Sequence, residues 1–260
     1  MFTQAPLHSM LKEIRAAHWL GKMKPFKIFG NTYYVGTYQS CCHMIDTGDG
    51  LILIDTGYAE TDYLIIDSIY QLGFNAHDVK YIISTHWHGD HTAATAAIAG
   101  LTGAKTVIGR EDAEKAAKYV THDILVDDGD TLTLGNITIH FMHTPGHTKG
   151  TISLFYEDTD GQNTYRVGTF GGAGHNTLVP GKYDFEGARD AYFASIERLK
   201  KEHVDVFIGN HCWNNDTYGK SQKLFETGEN TFVNTNDVWQ SFLDHYKRGL
   251  EEIIKNENNQ

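Results

Sequence analysis

Residues 86–91 read His-Trp-His-Gly-Asp-His, so four side chains that can bind a metal ion fall within six residues. They follow the apolar run 81–85, a predicted buried strand that Gly89 interrupts. On an extended backbone the first two histidines project to one side, whereas the aspartate and the third histidine follow the turn and can reach a second position nearby. This spacing suits two metal ions held side by side. A loop rich in histidine by chance is the alternative in a chain with 15 histidines, but the strand and the acidic residue favour a metal site.

Two further histidines lie in contexts that fit the same site. His147 belongs to the segment 143–148, His-Thr-Pro-Gly-His-Thr, where proline and glycine fix a sharp turn after a predicted strand. His211 follows the predicted strand 204–208, and loops at strand ends are where α/β proteins hold their ligands. We expect both histidines to join the metal site, with ordinary packing as the alternative for each. His143 is not expected to be a ligand, because two residues of one tight turn cannot easily both serve.

Length and composition limit the class of protein. A chain of 260 residues with 40% hydrophobic and 21% charged residues can bury a full core, and we expect a single domain over residues 1–260. The formal net charge of −11 disfavours nucleic acid and anionic membranes as partners, because both require a basic face. A small-molecule substrate is the expected partner, and the sequence is silent on oligomeric state.

Cysteine usage and the first residues bear on location. The three cysteines, Cys41, Cys42 and Cys212, provide no disulfide framework, because an odd count leaves one thiol free. This favours a reducing cytoplasm. The first twenty residues carry charged side chains and no uninterrupted apolar segment, so neither a signal peptide nor a membrane-spanning helix is predicted. A cytoplasmic location is therefore expected, with the periplasm or secretion as the alternative if a leader had been removed.

Short apolar runs bounded by glycine and aspartate predict strands, and helical periodicity predicts helices between and after them. The pattern fits two packed sheets with helices outside. The expected strands cover 32–36, 51–54, 79–84, 106–108, 137–142, 151–156 and 204–208. The expected helices cover 63–72, 92–99, 191–201 and a C-terminal stretch that begins near residue 238.

These segments carry a family resemblance. The segment 86–91, together with His147 and His211, resembles the metallo-β-lactamase superfamily, and 51–57, Leu-Ile-Leu-Ile-Asp-Thr-Gly, resembles the first strand-and-turn motif of that superfamily. Within it, the chain is most similar to the subclass B3 β-lactamases, over about three-quarters of its length. The resemblance implies an αββα sandwich, in which two mixed sheets carry helices on their outer faces.

The resemblance also implies two zinc ions per chain and a set of site residues. The first zinc would take His86, His88 and His147, and the second would take Asp90, His91 and His211. Asp55 would support these ligands from behind. The implied enzyme is a zinc-dependent hydrolase that uses a metal-bound hydroxide, which Asp90 orients as the catalytic residue. Opening of β-lactam rings is the expected activity.

Two observations bear on the place of the chain within the superfamily. Residues 166–172 contain neither a carboxylate nor a thiol, where other hydrolases of this superfamily insert a bridging aspartate or a cysteine, and subclass B3 similarly lacks that ligand. His88 argues against the flavin-linked diiron oxidoreductases, which carry a glutamate at that motif position. Both observations favour the B3-like site.

One segment departs from the subclass B3 pattern. Those enzymes usually present serine hydroxyls to the substrate carboxylate near residues 169–172, where this chain has Thr-Phe-Gly-Gly. A glycine-rich loop can present backbone N–H groups to an anion instead. Phe170, His175 and Asn176 are the candidate substrate-binding residues, with a purely structural turn as the alternative. Cys41-Cys42 lies in a loop expected to face the site, with packing in the core as the alternative.

Other functions remain open at this point. A hydrolase of the same fold could act on another small ester, lactone, thioester or amide, and only substrate profiling separates it from a β-lactamase. An iron-dependent oxygenase of this superfamily would show iron content and oxygen uptake, although the six ligands favour zinc. A metal-binding protein without catalysis is the last alternative, which hydrolysis that vanishes in His86→Ala would exclude.

Overall fold

The computed structural model describes residues 12–14 and 16–259. Within this part of the chain, two β-sheets pack against each other around a shared core. The strands of the first sheet, in spatial order, are β1 Phe26–Phe29, β2 Thr32–Tyr34, β3 His43–Asp46, β4 Leu51–Ile54, β5 Val79–Ser84, β6 Lys105–Gly109 and β7 Ile124–Val126. Those of the second sheet are β12 Val206–Phe207, β11 Thr164–Thr169, β10 Ile152–Thr159, β9 Ile137–His143 and β8 Thr131–Leu134.

Both sheets are mixed. In the first sheet β1 to β4 pair antiparallel, and β4 to β7 pair parallel. The second sheet is antiparallel except for the parallel pair β11 and β12. Parallel neighbours end at the same edge of a sheet, so the loops that follow β4, β5 and β6 lie side by side.

Helices cover the outer faces of the two sheets. Their bounds are α1 Asp62–Gln71, α2 Gly89–Thr92, α3 Thr95–Thr102, α4 Ala113–Ala116, α5 Ala188–Leu199, α6 Thr217–Thr227 and α7 Asn236–Glu257. Strand β4 shows how its residues divide between the layers: Ile52 packs in the inter-sheet core with Leu154, whereas Leu53 packs outward against Ile65 of α1. Alternation of this kind follows from the two-residue period of a strand.

Helices α5 and α7 cover the second sheet in the same way. Tyr192 of α5 and Trp239 of α7 are fully buried in a cluster with Phe155 and Phe207 of the sheet. The rings of Phe207 and Trp239 lie 5.2 Å apart in an edge-on contact. The predicted αββα architecture, two mixed sheets with helices on the outer faces, is therefore confirmed.

Most predicted elements are present, with some changes of bounds. The strands 51–54 and 79–84 are confirmed at both ends. The predicted helix 92–99 is wrong as a continuous element, because the chain turns between α2 and α3. Five strands were not predicted: β1, β3, β7, β8 and β11. Lys27 and Arg166 interrupt the apolar pattern of β1 and β11.

No helix among the residues that the structure describes is both long enough and apolar enough to cross a membrane.

Candidate metal centre

The ends of three strands bring the predicted ligands together. The loop after β5 and the short helix α2 carry the segment 86–91, the turn after β9 carries His147, and the loop after β12 carries His211. Two groups form, and in each group the potential ligand atoms lie within 4.8 Å of one another. The first group is His86, His88 and His147, and the second is Asp90, His91 and His211. They adjoin, since the rings of His86 and His91 are 4.2 Å apart.

The first group directs three imidazole nitrogens at one point. His88 Nδ1 lies 3.1 Å from His86 Nε2 and 2.9 Å from His147 Nε2. His147 Nδ1 donates to the carbonyl of Gly174 at 2.8 Å, which leaves a lone pair on its Nε2. Nitrogens that share one tetrahedral zinc at Zn–N distances of about 2.0–2.1 Å lie about 3.3 Å apart. The spacing of this group therefore matches that of a metal site.

The second group contains a nitrogen without a partner. His91 Nδ1 lies 2.7 Å from a carboxylate oxygen of Asp55, whereas its Nε2 is buried and has no hydrogen-bond partner among the described residues. His211 Nδ1 donates to the carbonyl of Gln39 at 2.8 Å, so its Nε2 also carries a lone pair. Asp90 Oδ2 lies 3.5 Å from His91 Nε2 and 3.8 Å from His211 Nε2. Leaving a buried polar atom unpaired is costly, and a bound cation would remove that cost.

Asp55 stands behind the second group. It is 1% exposed and has a φ of 60°, a left-handed conformation that costs a non-glycine residue about 1–3 kcal/mol. Besides contacting His91, its carboxylate accepts hydrogen bonds from Thr85 N at 2.7 Å and Thr85 Oγ1 at 2.9 Å. These contacts compensate the strain and fix the His91 ring. The position is the one expected of a residue that supports a ligand.

Electrostatics keep most of the histidines neutral, which is the state that binds a metal. Burial lowers the pKa of His88 to about 4, of His147 to about 3 and of His211 to about 4. His91 differs: burial lowers its pKa, but Asp90 and Asp55 outweigh burial and raise the net value. The second group therefore holds a proton more readily than the first.

Asp112, which sequence reasoning missed, ties the ligand loops together. One of its carboxylate oxygens accepts from Trp87 N at 3.0 Å and Thr148 Oγ1 at 2.6 Å, and the other accepts from Gly150 N at 2.6 Å. Burial raises the pKa of this carboxyl to about 6. It follows β6, next to β5, so an acidic residue at a neighbouring parallel strand end was the available signal.

The turn that delivers His147 depends on a glycine. Gly146 has a φ of +149°, and a Cβ atom there would lie 2.6 Å from Cβ of Tyr192. The prediction of a sharp turn at this place is confirmed. His143 stays outside both ligand groups, and its Nε2 donates to the carbonyl of Lys149 at 2.7 Å, as expected of a residue without a ligand role.

A cavity of about 720 Å³ opens above the ligands. We call the six potential ligands the floor of this cavity, although only five of them line it. The sixth, His86, is buried next to His91. We call five half-buried aromatic residues that line it the rim: Tyr58, Trp87, Tyr119, Trp213 and Tyr246. The rim touches the floor directly, since the ring of Trp213 is stacked on His211 at 4.3 Å. Sequence reasoning missed the rim, whose members come from distant parts of the chain.

The candidate substrate-binding residues divide into two kinds. His175 and Asn176 line the cavity. Phe170 does not: it is 1% exposed and its ring packs on Tyr192 at 5.7 Å, so a role in substrate binding does not fit its position. The reason is that residues 169–173 turn inward after β11 and are all buried. Cys41-Cys42 is likewise buried in the core, as its alternative interpretation stated.

The comparison with known proteins agrees with this geometry. A sequence profile of the metallo-beta-lactamase superfamily matches residues 35–211. The chain belongs to this superfamily. Its structure is similar to BJP-1, a subclass B3 metallo-beta-lactamase of Bradyrhizobium japonicum, with a TM-score of 0.85 and 29% identity over 94% of this chain and 98% of that one. It is also similar to LRA-12, a class B3 di-zinc metallo-beta-lactamase from an Alaskan soil metagenome, with a TM-score of 0.81 and 28% identity over 91% and 96%.

Curated relatives within the superfamily have other names. A hydroxyacylglutathione hydrolase of Hyphomonas neptunium is 34% identical over 47% of this chain and 44% of its own length. An N-acyl homoserine lactonase of a Bacillus species is 26% identical over 45% of this chain and 57% of its own. The chain thus spans about half the length of these relatives. The superfamily to which it belongs consists of metallo-hydrolases that act on small molecules.

Proposed function

We propose that this enzyme holds two zinc ions and hydrolyses β-lactam rings. The observation that carries the proposal is the pair of adjoining ligand groups on the floor of one open cavity. Similarity to class B3 β-lactamases over more than nine-tenths of the chain supports the choice of substrate.

The donor set fits zinc. Imidazole nitrogens and carboxylate oxygens are its usual protein ligands, and the floor offers five of the former and one of the latter. Nε2 of His91 is buried and has no hydrogen-bond partner among the described residues, which independently supports the binding of a cation. When bound, zinc would polarise the substrate carbonyl and bring the pKa of water close to neutrality, so a side-chain nucleophile is unnecessary.

The ligands are held so that they cannot easily rotate. Three histidines of the floor, His91, His147 and His211, each use Nδ1 in a hydrogen bond to a fixed oxygen. Their Nε2 atoms therefore face other ligands of the floor. This type of support raises the basicity of a ligand and orients it before the metal arrives. The chain therefore preorganises the site and pays little reorganisation energy during the reaction.

Asp90 is the residue best placed to direct the attacking water. Burial raises its pKa, but His91 and His211 outweigh burial and lower the value to about 2, so the carboxylate is ionised near neutral pH. Its half-buried position on the cavity floor lets an oxygen accept a hydrogen bond from that water. This contact would orient a water held at the zinc site towards a substrate carbonyl in the cavity.

The direct test is hydrolysis of a carbapenem and a cephalosporin by zinc-loaded protein, followed by the loss of β-lactam absorbance. We expect kcat/KM of about 10⁴ M⁻¹s⁻¹ or more, the range of true enzyme–substrate pairs. His140→Ala is the matched control for variants of the floor, because it removes an exposed histidine from the middle of β9 that belongs to neither ligand group. Bound zinc without turnover of either compound would contradict the proposal of a β-lactamase.

A second candidate is hydrolysis of a lactone or a thioester. The buried segment 169–173 presents no hydroxyl to the cavity, whereas subclass B3 enzymes usually present serine hydroxyls to the substrate carboxylate there. The named activities of the two curated relatives supply the test compounds, a hydroxyacyl glutathione thioester and an N-acyl homoserine lactone. A kcat/KM for either that exceeds the β-lactam value by tenfold or more would establish this candidate.

A further inference from the structure

The lining of the cavity has an unusual charge balance for an enzyme whose substrates are expected to be acids. Among the described residues that line it, none is a lysine or an arginine, and two, Glu60 and Asp90, are acidic. The chain as a whole has a formal net charge of −11. An anionic substrate is therefore repelled by the protein at long range unless a local cation receives it.

Lys118 lies at the edge of this cavity. Its ammonium group lies 4.3 Å from the centre of the Trp87 ring and 4.8 Å from the centre of the Tyr119 ring, and both rings belong to the rim. Two cation–π contacts favour this position of a flexible side chain by about 0.5–1 kcal/mol each at an exposed site. No carboxylate of the described residues forms an ion pair with Lys118. Its three N–H donors are therefore available to a ligand.

A neighbouring lysine shows the contrast. Lys115 also approaches the Trp87 ring, at 5.6 Å, but its ammonium group is paired with Asp184 at 2.5 Å. Asp184 in addition accepts a hydrogen bond from Trp87 Nε1 at 3.1 Å and so fixes the indole. Asp184 thus neutralises the charge of Lys115, whereas Lys118 lies over the same Trp87 ring without a carboxylate partner among the described residues.

The Trp87 ring links Lys118 to the floor. The Trp87 ring has the His88 ring at 4.4 Å and the Lys118 ammonium group at 4.3 Å. A substrate whose carbonyl lies above the floor can therefore place a second group beside this rim. Aromatic side chains of the rim would contact the apolar part of such a substrate.

We propose that Lys118 is a specificity-determining residue that binds the carboxylate of an acidic acyl substrate at the Trp87–Tyr119 edge of the cavity. The proposal rests on the hydrolase function proposed above and narrows its substrate class to carbonyl compounds with a separate anionic group. It assigns to this edge the task that the buried segment 169–173 does not perform. A β-lactam acid and an acyl glutathione share the required chemistry.

The test compares a cephalosporin with its own methyl ester, which differ only in the carboxylate, on zinc-loaded protein. Lys118→Met removes the charge, Lys118→Arg keeps it, and Lys201→Met removes an equal charge from an exposed position after α5. We expect Lys118→Met to raise KM for the acid about three- to tenfold, the range for one exposed charge-assisted contact, with little change in kcat. The ester should change less than twofold. The arginine and Lys201 variants should behave like wild type on both compounds.

Added salt sharpens the result. At about 0.5 M salt the preference of the wild type for the acid should shrink towards that of Lys118→Met, because an exposed charge pair is screened. An S-acyl glutathione run beside the cephalosporin shows which acid the enzyme prefers. Equal losses on acid and ester, or no loss on either, would overturn the role of Lys118.

The two proposals can fail separately. If wild-type protein with bound zinc hydrolyses neither cephalosporin compound, the β-lactamase proposal fails, and both compounds can then be titrated without turnover. The ¹⁵N signal of the Trp87 indole reports binding at this edge. Tighter binding of the acid than of the ester, lost in Lys118→Met, would support the role of Lys118, and equal binding would overturn it.

Discussion

The floor and the rim of the cavity are built on different principles. Each floor histidine that uses Nδ1 in a bond to a fixed oxygen is buried or nearly so. Two of the three loops that carry the floor also share one buried carboxylate, Asp112. The rim consists of half-buried rings from five separate segments. It contacts Lys118, a cation without an ion-pair partner among the described residues. If the proposals above hold, the chemistry of the enzyme depends on rigid structure, and its choice of substrate depends on a surface that tolerates change.

The largest effect is expected from the loss of a metal ligand of the floor. His86→Ala removes a buried ligand of the first group, and we expect kcat/KM to fall by at least about 10³-fold, because metal-assisted hydrolysis loses its metal geometry. Steady-state hydrolysis and bound zinc measured together check this. Activity within tenfold of wild type, with His140→Ala unchanged, would mean that the first group is not the reaction centre.

The next largest effect concerns Asp112, which anchors two of the loops that carry the floor. Asp112→Ala leaves the donors of Trp87, Thr148 and Gly150 without their buried acceptor, so we expect a loss of at least about 2 kcal/mol in the free energy of unfolding. Urea unfolding of the zinc-loaded protein measures it. Glu111→Gln, at the exposed neighbouring position, should lose less than about 0.5 kcal/mol. Similar losses in the two variants would contradict the anchoring role.

Lowering the pH should release zinc from the second group of the floor before the first group. A ligand with a raised pKa takes up its proton at a higher pH, so protons displace zinc from His91 before they reach His88 and His147, whose pKa values lie at about 4 and 3. We therefore expect bound zinc to fall in two steps as pH is lowered from 7, first from about two to about one per chain, and to zero only below about pH 4. Equilibrium dialysis with metal analysis records the steps. Loss of both ions in one step would contradict the difference between the groups.

The smallest effect belongs to the rim. Trp213→Leu removes a ring that is stacked on His211 but that is not itself a ligand. We expect kcat/KM to fall about two- to tenfold, mainly through KM, while two zinc ions remain bound. Loss of one zinc ion from this variant would show that the rim holds the floor in place, and the distinction between the two regions would then fail.

The floor was predictable from sequence because it is local. Four of its members lie within the segment 86–91, and the rule that ligands follow strand ends found His147 and His211. Asp112 and Lys118 were not found, since each acts on a loop or ring that only the folded chain brings near it. The same holds for Tyr246, which reaches the rim from α7.

Phe170 was assigned to the wrong surface for a related reason. A motif fixes where a strand ends but not which way the following residues turn. Here Asn210 Nδ2 donates to the carbonyl of Gly171 at 2.7 Å, and a Cβ on Gly171 would lie 2.0 Å from the carbonyl oxygen of Ile152, so the segment is held tightly inside. Packing between two distant strands decides this direction, and no pattern within the segment reports it.

The central claim is that the two groups of the floor each hold a zinc ion. Anomalous diffraction at the zinc edge from crystals of zinc-loaded protein tests it most directly. The account predicts two peaks per chain, one among His86, His88 and His147 and the other among Asp90, His91 and His211, and only the first peak in His211→Ala. A single peak in the wild type, or two undiminished peaks in His211→Ala, would contradict it.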